Sequence, residues 1–278
     1  MARMSPQDLG RRRHPVRSVI IIALIVLTII GGIVVAVRIL NPLPIRTSVE
    51  KRAFSLSAGA RPSLVVTNDE GFIHVRPGSS NTVNITVTKV GDGYGASPDD
   101  FKVTAAQNGN TITIQITNDS IHFLDFSAMS HADLDVTMPA TSDLQLKTDS
   151  GDVVVTGIEG KLNLASNSGS LQATGVSLSS GSELNTDSGS LTMQGSIGPD
   201  GPYTFQSNSG DVDVALPRNA SFHVDLETNS GSITNDFSNA MLHQAPTDGK
   251  KITGDVGSSP QATVTLQSDS GSLHLRQM

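Results

Sequence analysis

Apolar and polar positions alternate with period two through most of residues 61–278, and the alternation breaks repeatedly at the same short turn. The segment LQLKTDSGDVVV, residues 144–155, is followed eighteen residues later by LNLASNSGSLQA. Six copies align on Gly151, Gly169, Gly189, Gly210, Gly231 and Gly271, at intervals of 18, 20, 21, 21 and 40 residues. The last interval is two periods long, as if one copy near residue 251 had been overwritten.

Five residues before each glycine stand Leu146, Leu164, Leu184, Phe205, Leu226 and Leu266, and two after it Val153, Leu171, Leu191, Val212, Ile233 and Leu273. Three before it is always a hydroxyl: Thr148, Ser166, Thr186, Ser207, Thr228 and Ser268. Each copy therefore reads as strand, tight turn, strand. The turn residue two before the glycine is Asp149, Asn167, Asp187, Asn208, Asn229 or Asp269. Asp or Asn followed by Ser-Gly offers local side-chain bonding and a residue free to take positive φ.

A fixed period near 20 residues predicts an all-β ectodomain, a solenoid whose coils stack like residues above one another. A β-sandwich of hairpins is the competing fold, because TDSGD also closes a hairpin. In a stack with coils ~4.8 Å apart, aspartates in adjacent coils repel, and no two consecutive copies both carry Asp. Upstream, SLVVTNDEGFIHV reads as a copy expanded by one residue around Gly71. Residues 237–260 lack the turn motif and form the first candidate contact surface, as a long loop.

Ahead of the repeats, residues 19–37 run without a charge, so a transmembrane helix is expected over 19–40. The 18-residue tail before it carries five arginines against one aspartate. The positive-inside rule places that tail in the cytoplasm and the C-terminal domain outside, as a single-pass protein of the cell membrane. Residues 41–60, with Pro42 and Pro44, read as a stalk, and 61–278 as the repeat domain.

With the tail at +4 and the whole chain at −7, the remainder carries −11. An acidic body argues against nucleic acid as a partner. There is no cysteine, which removes disulfides and thiolate metal sites. The seven histidines show no zinc-enzyme spacing, so neither metal nor cofactor is expected. Ser48–Lys51, SVEK, matches a Ser-x-x-Lys pattern without its Lys-Thr-Gly partner. The turn aspartates lack the density of calcium-binding β-rolls and read as solvated turn formers. Carboxylate pairs Asp211/Asp213 and Asp225/Glu227 keep a carbohydrate-active β-helix enzyme in play, although alternation turns all four to solvent.

The ectodomain resembles the bacterial "putative adhesin" family of domains of unknown function. The resemblance rests on LVVTNDEGFIHV, on MPATSDLQLKTDSGDV with the copies that follow, on SFHVDLETNSGSI, and on the closing VTLQSDSGSLHL. It implies a right-handed β-helix-like fold, often behind one transmembrane helix, and a surface role in adhesion or envelope-stress sensing. No catalytic residues come with it. The expected reading is a non-enzymatic recognition protein whose partners are the bilayer and a surface ligand, a cationic peptide, glycan or protein. A spacer without a ligand is the remaining alternative.

Overall fold

A computed structural model describes residues 47–78, 81–93, 96–119, 129–237, 241–244 and 250–278. The expected tail, the span 19–40 and residues 41–46 lie outside them. No helix among the described residues is long and apolar enough to cross a membrane.

The N-terminal region supplies β1 (Thr47–Ser57), β2 (Ser63–Glu70), β3 (Ile73–Pro77), β4 (Thr82–Asp92), β5 (Phe101–Asn108), β6 (Thr111–Asn118) and β7 (Met129–Met138). The central copies supply β8 (Asp143–Ser150), β9 (Val153–Thr156), the short β10 (Glu159–Gly160), β11 (Leu162–Ser168), β12 (Leu171–Leu178), β13 (Ser182–Ser188) and β14 (Leu191–Ile197). After these come β15 (Asp200–Ser207), β16 (Val212–Leu216), β17 (Phe222–Thr228) and β18 (Ile233–Asn235). The C-terminal region adds β19 (Met241–Gln244), β20 (Lys251–Val256), β21 (Gln261–Ser268) and β22 (Leu273–Gln277).

These strands form two eleven-stranded sheets. One runs β1-β4-β7-β3-β9-β12-β14-β16-β22-β18, with β10 against β12. The other runs β19-β20-β17-β21-β15-β13-β11-β8-β2-β6-β5. Each corner glycine hands the chain from the second sheet to the first, so no copy closes a hairpin. The fold is a β-solenoid, not the sandwich of hairpins.

The alternation fixes which side chains meet inside. Leu164 lies in register with Leu146 and Leu184, and Leu266 with Phe205 and Leu226. All six are at most 1% exposed, forming one column of the core. Fully burying a side chain of this kind stabilises by roughly 1.5–3 kcal/mol, so the column is a main support of the stack. The Gly71 copy joins it without expansion, since Asn68 pairs with Thr148 and Glu70 with Ser150.

Order in space departs from order in the chain at both ends. The coil β2/β3 lies between β6/β7 and β8/β9. The coil β21/β22 lies between β15/β16 and β17/β18. The long interval before Gly271 is therefore not an overwritten copy. The chain leaves the stack as antiparallel β19 and β20 against β17, then returns to fill the place beside β15.

The expected loop over 237–260 thus contains two strands, and Phe237 packs edge-on against Phe222 with centroids 5.4 Å apart. Residues 238–240 and 245–249 of that candidate surface lie outside the described residues. At the other end, antiparallel β4, β1 and β5 cover the stack. Capping of this kind shields open sheet ends.

The expected stalk is corrected in the same region. Thr47–Ser57 pairs along its whole length with β4, and Phe54 and Leu56 pack against the core. Its pattern is faint in sequence because an edge strand exposes most of its side chains. Further along β4, the inward positions Val83, Ile85 and Val87 are followed by Lys89, only 2% exposed. The Lys89 amine meets the Phe101 carbonyl at 3.3 Å and the Glu50 carboxylate of β1 at 2.7 Å. Lys89, then Arg52, hold the Glu50 carboxyl below its ordinary value.

Candidate functional site

The repeated turn residues come together as parallel rows along one corner of the solenoid. Their order in space is Gly71, Gly151, Gly169, Gly189, Gly210, Gly271, Gly231, headed by Ala132 of β7. A Cβ built on any of these glycines would run into the carbonyl oxygen of the preceding member. Close coil-to-coil approach, rather than left-handed backbone, is what requires glycine here. Only Gly71 and Gly151 of the row have φ in the left-handed range, 121° and 154°.

The recurring hydroxyl completes the same device. Ser166 Oγ donates to Gly151 O at 3.1 Å, Thr186 Oγ1 to Gly169 O at 2.8 Å and Ser207 Oγ to Gly189 O at 2.9 Å. Ser268 Oγ donates to Gly210 O at 3.0 Å and Thr228 Oγ1 to Gly271 O at 2.8 Å. All five hydroxyl residues are buried, so each bond satisfies a carbonyl shut away from bulk water. In the Gly71 coil the role passes to Asn68, whose Nδ2 donates to Ala132 O at 2.8 Å and Gly71 O at 3.3 Å. Thr148 is thereby displaced, and its buried hydroxyl has no protein partner.

Outside this row runs the Asp/Asn row. In space it reads Asp149, Asn167, Asp187, Asn208, Asp269, Asn229, a strict alternation that chain order hides. Asn167, Asn208 and Asn229 each donate Nδ2 to the aspartate beside them, at 3.0 Å. Insertion of the last coil puts Asp269 between two asparagines. Asp69, which would place a second aspartate beside Asp149, accepts instead from the Asn118 N–H at 2.8 Å. The corner carboxylates are partners for neighbouring coils. A shallow groove of about 270 Å³ lies on this row beside Asn208, Asp269 and Asn229.

The weighed catalytic groups do not converge. Asp211 stands at the corner before β16 and Asp213 on the outer face of that strand, while Asp225 and Glu227 lie on the outer face of the other sheet. Asp211 accepts from the Ser272 N–H at 2.8 Å, and Asp213 is held by Arg276. Lys251 lies 3.6 Å from Asp225 and 2.8 Å from Glu227. Ser48 and Lys51 fall three apart on β1 and so point to opposite faces. Among the described residues no group of three His, Cys, Asp or Glu is placed to hold a metal ion.

One feature escapes the sixfold alignment. The residue after the corner glycine is Asp or Ser in every aligned copy, but in the Gly71 copy it is Phe72, 53% exposed. Phe72 N–H donates to Asp133 Oδ1 at 3.0 Å, and Asp152 occupies the same position in the next coil. Two residues along this face stand Asp135, His74 and Val154, with His74 Nδ1 3.4 Å from Asp135. Together they enclose a depression of about 350 Å³. Extending the alignment to Gly71 and Ala132 exposes the anomaly in sequence.

The profile of the Toastrack DUF4097 family matches residues 67–198 and 197–276. No curated protein matches the sequence. A putative cell adhesion protein from Clostridium sporogenes has a similar structure at 8% identity and TM-score 0.49, covering 83% of this chain and 100% of its own. A putative adhesin from Bacteroides fragilis aligns at 11% identity and TM-score 0.39, covering 81% of this chain and 97% of its own. A putative lipid binding protein from Parabacteroides distasonis aligns at 8% identity and TM-score 0.28, covering 82% and 97%.

Proposed function

This chain belongs to the Toastrack DUF4097 family, a domain of unknown function, and from that premise we propose that it is a non-enzymatic recognition protein of the cell surface. In this reading residues 19–40 anchor it in the membrane, with the tail in the cytoplasm and the solenoid outside. Its task there is adhesion or envelope-stress sensing.

The observation that carries the reading is where the corner groups spend their hydrogen bonds. Glycine, hydroxyl, Asp and Asn are occupied in joining coil to coil. What the solenoid offers a partner is its two outer faces. Each runs about ten strands, roughly 45–50 Å at the usual strand spacing. A rigid face of that length supports extended contact better than a single small-molecule pocket. The acidic body favours cationic partners through its long-range field, which makes a cationic peptide the first ligand class to try and nucleic acid the last.

The test is calorimetric titration of the full chain in mild detergent against cationic peptides and cell-wall glycans, each with and without calcium. Saturable binding that leaves the ligand chemically intact supports recognition. Glycan shortening that is lost in Asp211→Asn or Asp225→Asn would replace it with the enzyme. Heat changes no larger than dilution across all ligands would replace it with the spacer.

A further inference from the structure

We propose that the depression around Phe72 is a binding site for a basic side chain, arginine before lysine, presented by a peptide lying across this face of the solenoid. The inference rests on the recognition reading and gives it a location and a ligand chemistry.

Three observations point the same way. The first is a cost without a structural return. Phe72 holds a corner position that Asp or Ser fills in every aligned copy, so backbone geometry does not ask for an aromatic there, yet it is 53% exposed. An aromatic face left in water is a ready partner for a cation.

The second is the placement of charge. Asp133 and Asp152 occupy the coils on either side of Phe72, each ~4.8 Å away at the usual strand spacing. Asp135 stands two residues along on the β7 side. The Asp152 carboxylate also accepts from the Ser170 N–H of the coil beyond, at 2.7 Å, so a cation above the ring has Asp133 and Asp135 on one side and this hydrogen-bonded carboxylate on the other. Among the described residues, the bases that approach these carboxylates are imidazoles, His74 at 3.4 Å from Asp135 and His131 at 3.7 Å from Asp133. Neither presents the planar fork of donors that a guanidinium offers a carboxylate.

The third is the apolar floor. The outward position two after Asp152 is Val154, where later coils carry Gln172, Thr192 and Asp213. An aliphatic floor beside an aromatic wall suits the methylene stem of a long basic side chain, whose charged head then reaches the carboxylates. Arginine is preferred because its planar guanidinium stacks on a ring while donating to a carboxylate in its own plane. A neutral peptide would gain the apolar contact alone, and an acidic one would be repelled.

The experiment is fluorescence anisotropy of a labelled arginine-rich peptide titrated with the full chain in mild detergent at physiological ionic strength. Its citrulline counterpart, equal in shape and uncharged, is the control. The variants are Phe72→Ser, which restores the residue other coils use, Asp133→Asn, and Glu183→Gln on the opposite sheet. Unchanged melting temperatures establish that each variant is folded. The expected result is saturable binding of the arginine peptide only, weakened roughly three- to tenfold by Phe72→Ser, weakened also by Asp133→Asn, and unmoved by Glu183→Gln. Equal weakening by Glu183→Gln would reduce the effect to net charge and overturn the site. Wild-type affinity in Phe72→Ser would overturn the site while leaving recognition standing. No binding of the arginine peptide overturns the site too, and the glycan titrations then decide recognition separately.

Discussion

The middle of the solenoid and its two ends are built by different rules. From β8 to β16 the next coil in the chain is the next coil in space, and all pairing between coils is parallel. At both ends the chain skips a place, lays down antiparallel strands, and in one direction or the other fills the gap. The consequence is that neither terminal coil is outermost. The first coil is held beneath β6/β7, and the last beneath β17/β18. A stack that ended where its chain ended would fray coil by coil, whereas this one must open an outer layer before either terminal coil is free.

Removing the last coil is the largest test of that difference. In a sequential solenoid, loss of residues 261–278 shortens the stack by one coil. Here it removes the neighbour of both β15/β16 and β17/β18, along with the burial of Leu266, Leu273 and Leu275. The truncated chain is expected to lose its single cooperative melt, as β17 to β20 separate from the rest. The rival outcome is informative. If β17/β18 drop directly onto β15/β16, the order the sequence suggests, the melt survives with little change and the interlocking idea is wrong.

A substitution in the glycine row comes next. Gly189 lies between Gly169 and Gly210 in the middle of the stack, with coils on either side that cannot retreat. Gly189→Ala is expected to cost about 3 kcal/mol or more, at the upper end for overpacking. Gly231→Ala meets the Gly271 carbonyl in the same way, but although β20 covers β17, nothing lies beyond β18, which ends the first sheet and is only three residues long. That side of the corner can move outward, so about 1–2 kcal/mol is expected. Chemical denaturation of both variants measures the gap, and equal costs would mean that the ends are as rigid as the middle.

Much of the middle was legible in the sequence because stacking imposes the same demands on every copy. Period-two alternation gave the strands, and the columns of Leu, hydroxyl and glycine gave the register. The reason for the glycine was not legible. A turn glycine and a close-approach glycine look alike in a sequence, and only the neighbouring carbonyl tells them apart. The ends were misread for a related cause. Antiparallel β19 and β20 carry no corner motif, so 237–260 looked like a loop, and β1 exposes too many side chains to betray a strand. Even the Asp/Asn row, correctly read as avoiding adjacent aspartates, showed its alternation only after Asp269 was placed between Asn208 and Asn229. Phe72 was missed because the Gly71 copy, read as expanded by one residue, was left out of the sixfold alignment.

The hydroxyl row separates the middle from the N-terminal junction by sign. Thr186 Oγ1 bonds Gly169 O in the interior, so Thr186→Val keeps the shape and strands a buried carbonyl, at a cost of about 1–3 kcal/mol. Thr148 has no partner to lose, because Asn68 has taken the Gly71 carbonyl. Thr148→Val is therefore expected to fall within ~0.5 kcal/mol of neutral, or to stabilise. Destabilisation of both variants to the same degree would show that Thr148 has a partner after all, such as a buried water.

At the N-terminal cap the contrast appears in pH dependence. The Glu50 carboxyl is held below its ordinary value of 4.5 by Lys89 and Arg52. A depressed carboxyl contributes stability that is fully present above its unfolded value and disappears as pH falls through the lower folded one. The attachment of β1 should weaken below about pH 4.5, and Glu50→Gln should remove that part of the acid sensitivity while lowering stability at neutral pH. Hydrogen exchange along β1 across that range reads it directly. An acid response of β1 that is unchanged in Glu50→Gln would assign the sensitivity to other carboxylates.

The smallest effect belongs to the exposed Asp/Asn row, and it tests whether alternation there is selected by charge or incidental. Asn208→Asp sets three carboxylates in a line, the new one flanked by Asp187 and Asp269, and removes the Asn208 Nδ2 bond to Asp187. Like charges facing each other across strands cost about 0.2–1 kcal/mol. Because the row is exposed, most of that cost should vanish in 1 M salt, where the screening length falls to about 3 Å. The lost hydrogen bond would remain. Asn229→Asp, at the outermost coil with a single aspartate neighbour, should cost about half as much. A penalty at Asn208 that salt leaves untouched would mean that the row is maintained for its hydrogen bonds alone, and that the alternation of charge follows from the donor and acceptor pattern.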